Sequence, residues 1–476
     1  MTLLERPVVG RAVAARPPGR HSRPADAATL VAIFIGLQFM VPSGQVVRGL
    51  PLSLSAAALV ALCLGVLWLC TQLTTTLGAA KGPSPVRLML FAYACTLLAS
   101  YGSSSWGYLP GDERALGDHA MVSVFAMIFL GLAVCDGVRS RERIAFLLRV
   151  IVVCGTFVSV VAILQYLVGF DLTRHLRLPL FRPSTDSGTL LVREGLRRVA
   201  GTTAHPIEFG VFSAMLLPIA IHVAYRNSLM RRRSAFWWTC VCLIGAGLMF
   251  SVSRSAILGV LCAGTVIFLG WSGRRRVWMI VSALGFLVVI KFAAPGLLGA
   301  FLSLFQHAGS DDSVKWRTHD YATARQLISH HLLLGRGIGT WYAPKHEVFD
   351  NQYLLTLVES GVLGLVTFLG ILFAALYSVL RVGALTYRLP GRAAGATAST
   401  RPAATTAATT AATDRDLALA IGASLVVVLP TYATFDFGAF PTVTALAYLL
   451  MGIAGAFLRV VSDEVEGRPV DPYAVV

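Results

Sequence analysis

The chain has 476 residues, of which 56% are hydrophobic and 13% charged, and its mean hydropathy is +0.70. Soluble proteins carry about 25% charge, so a water-soluble globular class is excluded. The net charge of +16 does not point to nucleic acid, because much of it lies in short loops between apolar runs, where positive-inside topology accounts for it.

Arg6, Arg11, Arg16, Arg20 and Arg23 precede the first apolar run at 28–47. No small-residue cleavage site follows that run, so an uncleaved first helix is expected after a cytoplasmic basic tail at 1–27. Apolar runs of spanning length recur from there. Twelve spans are predicted: 28–47, 52–70, 86–102, 119–135, 144–168, 207–225, 236–252, 255–271, 277–294, 353–380, 417–435 and 440–458. The fold class is therefore all-α: a polytopic membrane protein with a transmembrane domain over 28–458.

With the N-terminus in the cytoplasm, the arginine-bearing loops at 136–143, 226–235 and 272–276 fall inside. So do a linker at 381–416 and the tail at 459–476. Within that linker, Ala393–Thr413 is Ala/Thr low complexity and reads as flexible. Two long external loops remain, 169–206 and 295–352, both arginine-rich; long loops translocate regardless of charge. The eight cysteines lie in or at the ends of apolar segments, with neither metal nor disulfide spacing.

The candidate chemistry gathers at the external ends of the spans. Arg197 and Arg198 precede His205-Pro206, where proline suits a helix start and His205 sits at the surface. The pair reads either as a cap and anchor or as phosphate and substrate contacts. Arg254, between Ser253 and Ser255, lies where two apolar runs almost touch; an ionisable group there is costly and a functional candidate, with snorkelling as the alternative. The second loop carries Arg317 and then Gly335-Arg336-Gly337-Ile338-Gly339, which follows no strand and so fails as a nucleotide loop. It reads as an anion-approaching loop or a plain turn. Asp350-Asn351-Gln352-Tyr353 opens the tenth span, with Gly361 and Gly364 one helical stretch later. Asp350 is a helix cap or a base. Metal binding has no support: Asp414 and Asp416 fall in the linker, and Asp311-Asp312 has no clustered partner.

Taken in order, Arg198-x-x-Gly201 with His205-Pro206, Ser253-Arg254-Ser255, Arg317, Gly335-x-Gly337-x-Gly339, and Asp350-Asn351 followed by Gly361-x-x-Gly364 resemble the O-antigen ligase and O-antigen polymerase superfamily of bacterial envelopes. The resemblance covers about residues 190–375. It implies a multi-pass bacterial plasma-membrane enzyme of about twelve helices with both termini cytoplasmic. Its external cavity would take a glycan from a polyprenyl diphosphate and pass it to an acceptor sugar, without metal or other cofactor. The implied partners are the lipid-linked oligosaccharide, a glycan acceptor, the bilayer and other envelope-assembly proteins. Asp350, Arg254 and Arg198 would be catalytic; Arg197, His205, Arg317, Arg336, Asn351 and Tyr353 would bind substrate. Ligases carry histidine where this chain has Asp350, which favours a polymerase or related glycopolymer transferase. The competing reading is a transporter or flippase for a lipid-linked or small anionic substrate, which would place its charges near the bilayer midplane.

Overall fold

The computed structural model describes residues 26–50, 52–73, 83–106, 109–176, 178–184, 191–193, 196–230, 232–297, 299, 321, 323–342, 345–393 and 401–466. The helices in chain order are α1 (Ala27–Met40), α2 (Ala56–Leu73), α3 (Pro85–Trp106), α4 (Gly111–Gly137), α5 (Arg141–Leu167), the single turn α6 (Leu172–His175), α7 (Pro206–Leu229), α8 (Ser234–Phe250), α9 (Arg254–Gly270), α10 (Gly273–Ala293), α11 (Gln352–Ala393), α12 (Arg401–Val426), α13 (Val428–Tyr432) and α14 (Pro441–Glu466). Among the described residues, eight helices are long and apolar enough to cross a membrane, and α1, α8 and α9 are shorter apolar helices. The predicted span 417–435 falls on α12 and α13. The all-α membrane architecture read from the sequence is the one observed.

Two differences have clear causes. The segment expected as a flexible linker is helical over 381–393 and again over 401–416, which belong to α11 and α12. Alanine is the strongest helix former, and the Thr413 hydroxyl returns to the Thr409 carbonyl at 2.9 Å instead of competing for it. Two short antiparallel ribbons also form, one joining the segment after α1 to the loop 169–206 and one within that loop. β1 (Gln45–Val47) pairs with β2 (Phe181–Pro183), and β3 (Leu191–Arg193) pairs with β4 (Leu196–Arg198).

Small residues let α14 run through the centre of the bundle. A Cβ on Gly452 would stand 2.9 Å from the Gly131 carbonyl of α4, so the two backbones meet there. The basic end of the bundle is tied by ion pairs. Asp414 accepts from Arg141 at 2.8 Å, and Asp416 lies 2.9 Å from Arg275 and 2.7 Å from His222 Nδ1. These two aspartates thus lock the middle of α12 to α5, α7 and α10. Arg459 donates to the Cys135 and Val138 carbonyls at 2.8 and 2.6 Å, closing the C-terminus of α4.

Candidate active site

At the opposite end of the bundle the segments around 42–55, 165–206, 338–360 and 432–444 surround one cavity of about 860 Å³. That volume is in the range of small-molecule sites. Gln38, Gln165 and Gln352 contribute polar groups to its lining, and Tyr93, Trp341, Phe368, Tyr432, Phe437 and Tyr448 contribute aromatic faces.

One wall carries Arg198. In β4 alternate side chains face opposite ways, which separates two adjacent arginines: Arg197 is exposed, whereas Arg198 is buried and lines the cavity. The Arg198 Nε donates to the Ser251 carbonyl at 3.4 Å. The loop after β4 is held by Gln165, whose Oε1 accepts from the Gly201 amide at 2.8 Å and whose Nε2 donates to the Gly201 carbonyl at 3.0 Å. Thr202 adds a bond from its hydroxyl to the Phe39 carbonyl at 2.6 Å.

His205 is the N-cap of α7, its Nδ1 accepting the Ile207 amide at 3.2 Å. Burial, and then the neighbouring Arg198 guanidinium, push its pKa down to about 4. The ring is therefore neutral at physiological pH, and an accepting Nδ1 leaves Nε2 as the N–H donor. Arg254 is the half-buried first residue of α9, next to the turn whose Ser251 carbonyl holds Arg198. A cation at a helix N-terminus has the wrong sign for the helix dipole, so helix stability does not explain its position.

The cavity is also lined by two carboxylates not singled out in the sequence, Glu359 and Asp436. They lie close enough to interact electrostatically. Glu359 stands just before a break in α11, where Gly361 has φ 67° and ψ −169°. The loop 332–337 runs against that break: the Arg336 and Gly337 amides donate to the Val358 and Glu359 carbonyls, and the Val362 and Leu363 amides donate back to Leu332 and Leu333. A Cβ on Gly361 would be 2.3 Å from the Leu333 carbonyl oxygen, and one on Gly335 would be 2.3 Å from the Glu359 backbone, so both positions require glycine. The next turn of the loop brings the Gly339 amide to Glu359 Oε1 at 2.9 Å. The alternating glycines therefore present an N–H to an acidic side chain.

Asp436 sits on the turn between α13 and α14. The Gly438 amide donates to Gln352 Oε1 at 2.5 Å and the Thr444 hydroxyl to the Phe437 carbonyl at 2.8 Å. Phe437 packs edge-on to Tyr432 with ring centroids 4.8 Å apart. Burial, and then the negative charge of Asp350, push the Asp436 carboxyl up to about 6.

Among the described residues Arg198 is the expected site residue that lines the cavity; His205 and Arg254 do not line it, and the others are placed differently again. Asp350 is half-buried and near Asp436, but it is not among the described residues that line the cavity. Asn351 is the cap of α11, its Oδ1 accepting the Tyr353 and Leu354 amides at 3.0 and 3.3 Å. That removes the capping role considered for Asp350. Tyr353 donates its hydroxyl to the Leu429 carbonyl at 2.6 Å. Arg336 is ion-paired with buried Glu113 of α4 at 2.6 Å, beside Lys345 at 2.8 Å and His346 at 3.2 Å. Its guanidinium thus anchors the loop instead of facing the cavity. Arg317 lies outside the described residues.

Residues 238–369 match the family model described as O-antigen ligase. Over this stretch the chain is similar to O-antigen ligases. The matched stretch runs from within α8 into α11, and so contains Arg254, the glycine loop, Asp350 and Glu359. Arg198 and Asp436, which come to the same cavity, lie outside it. No curated protein matches the chain.

Proposed function

We propose that this protein transfers a glycan from a polyprenyl diphosphate to an acceptor sugar at the external face of a bacterial plasma membrane, as a polymerase or ligase of O-antigen, capsule or exopolysaccharide assembly. The carrying observation is one cavity lined by a guanidinium, Arg198, and by the carboxylates Glu359 and Asp436, besides the locally held Asp171. That combination suits a reaction whose leaving group is a diphosphate and whose nucleophile is a hydroxyl.

Guanidiniums pair with phosphate oxygens through two parallel N–H bonds and stay charged at any relevant pH. Arg198, with Arg254 at the neighbouring turn, would hold the diphosphate and stabilise it as it departs. The α9 N-terminus adds partial positive charge there. Neutral His205 would donate from Nε2 to a substrate oxygen. Beside a lining carboxylate the acceptor hydroxyl oxygen would attack the anomeric carbon. The bond from that carbon to the phosphate oxygen breaks, its electron pair leaves on the polyprenyl diphosphate, and the hydroxyl proton passes to a carboxylate. A carboxylate is a weak base for an alcohol, so the proton moves late. Attack opposite the leaving group inverts the anomeric carbon. No step in this sequence calls for a metal or a nucleotide.

The test is a reconstitution. Protein in lipid nanodiscs with a polyprenyl-diphosphate oligosaccharide should give longer glycans or a glycan conjugate in the presence of EDTA, with inverted anomeric configuration by NMR. A ladder of lengths identifies a polymerase, and a single attachment to a foreign acceptor identifies a ligase. Absence of any product across lipid-linked donors, together with uptake or flipping of the same donors in vesicles, would give the function to transport instead.

A further inference from the structure

We propose that Asp436 is the carboxylate that takes the acceptor proton, with Asp350 acting through it as a positioning residue. This rests on the transferase reading above. Asp350 was the natural candidate in the sequence, but of the two it is Asp436 that lines the cavity; Asp171, which also lines it, is held by the Gln165 amide, the Thr173 amide and hydroxyl, and Arg174.

The turn bearing Asp436 is built to hold one geometry. The Ala439 amide donates to Asp436 Oδ1 at 3.3 Å, and the Thr434 amide closes the preceding turn on the Thr431 carbonyl at 2.9 Å. Phe435 and Phe440 pack with centroids 5.4 Å apart beneath it. Gln352 then fixes the turn to α11: it accepts from Gly438 and donates to the Thr356 hydroxyl at 3.0 Å. A general base must be held within hydrogen-bond reach of the proton it removes, and a braced turn at a cavity wall supplies that.

The groups that face Asp436 explain the part played by Asp350. From the segment before α11 comes Asp350, and from α11 itself comes Glu359, both acidic. From the start of α7 come His205, whose ring is 5.8 Å from that of Phe440 on the same turn, and Glu208, which holds the Thr442 and Val443 amides. His205 is neutral above pH 4, so acidic neighbours dominate. Negative charge at Asp350 strengthens Asp436 as a base, because a nearby like charge disfavours ionisation. In the step itself the hydroxyl O–H breaks, an O–H forms on Asp436, and the new glycosidic bond forms as diphosphate leaves with its electron pair.

The experiment compares Asp436→Asn and Asp350→Asn in the nanodisc transfer assay across pH 4.5–8.5, with binding of the polyprenyl-diphosphate donor measured on the same samples. Asp436→Asn should keep donor binding and lose turnover about 100-fold or more, the usual contribution of a general base. Asp350→Asn should keep turnover within a few fold above pH 7 while the acid limb of kcat/KM moves to lower pH. The reverse pattern, with Asp350→Asn inactive and Asp436→Asn active, overturns the assignment and makes Asp350 the base. An unmoved acid limb in Asp350→Asn removes Asp350 from the proposal. If Asp436→Asn does not fold, the limb shift in Asp350→Asn still decides between the two aspartates. Wild-type protein that makes no product overturns the transferase reading, and this assignment with it.

Discussion

The buried carboxylate of Glu208 accepts the Thr442 amide at 2.6 Å and so ties the first turn of α7 to the first turn of α14. It also accepts the Val443 amide at 3.2 Å and the Ala204 amide at 2.7 Å. One side chain thus satisfies amides at two helix starts that both border the cavity, groups that have no partner within their own helices.

Replacing Glu208 tests that role. Glu208→Ala leaves buried amides without an acceptor and should cost about 3 kcal/mol, whereas Glu208→Gln keeps an acceptor and should cost about 1 kcal/mol. Reversible unfolding in mixed micelles reads both values. Equal stability of Glu208→Ala and wild type would show that water replaces the carboxylate.

The two adjacent arginines of β4 should separate cleanly. Arg198→Ala removes a charge-assisted contact worth about 3 kcal/mol and should lower donor affinity about 100-fold. Arg197→Ala, at an exposed position, should stay within about threefold, in line with a small surface effect. Titration of each variant with polyprenyl diphosphate in nanodiscs checks this, and comparable losses in both would reverse the assignment of the inward-facing arginine.

His205 gives a pH signature in stability. Its pKa is about 4 in the folded protein and near 6.5 when unfolded, so the unfolded state binds the extra proton first. The contribution is complete above about pH 6.5 and is lost as pH falls toward 4. His205→Asn keeps a capping acceptor but does not titrate. Melting temperatures measured from pH 7.5 to 4 should drop more steeply for wild type than for His205→Asn; parallel curves would rule out the depressed pKa.

The loop over the cavity should depend on its ion pair. Arg336→Ala and Glu113→Gln are each expected to speed proteolysis within 332–347, and a double-mutant cycle should give a coupling of about 1–3 kcal/mol. Additive effects would mean that the two side chains act independently.

The fold class was legible because apolar length and loop charge are read directly by the bilayer. The sequence named Arg197 and Arg198 together, and only the alternation along β4 tells which of them lines the cavity. The two lining carboxylates Glu359 and Asp436 are not singled out in the sequence, although the same reasoning points to them. Glu359 is an ionisable residue inside a predicted span, and Asp436 lies between two apolar runs just as Arg254 does. Attention to Asp350 drew the reading one residue away from Asn351, the true cap. Arg336 and Tyr353 were not separable by sequence. Their partners, Glu113 and the Leu429 carbonyl, are far away along the chain and only folding brings them near.

The break at Gly361 divides labour along a single helix. The rod Gln352–Ser360 carries Glu359 and braces the turn of Asp436, while the part beyond the break exposes large apolar side chains such as Leu363, Val366 and Phe373. Lengthening the far part to suit a thicker bilayer would leave the rod where it is. Reshaping the rod and its partner loop for a different sugar would leave the anchor untouched. On the proposed transferase function, acceptor preference and membrane fit can therefore drift independently in descendants of this chain, each with its own half of one helix to change.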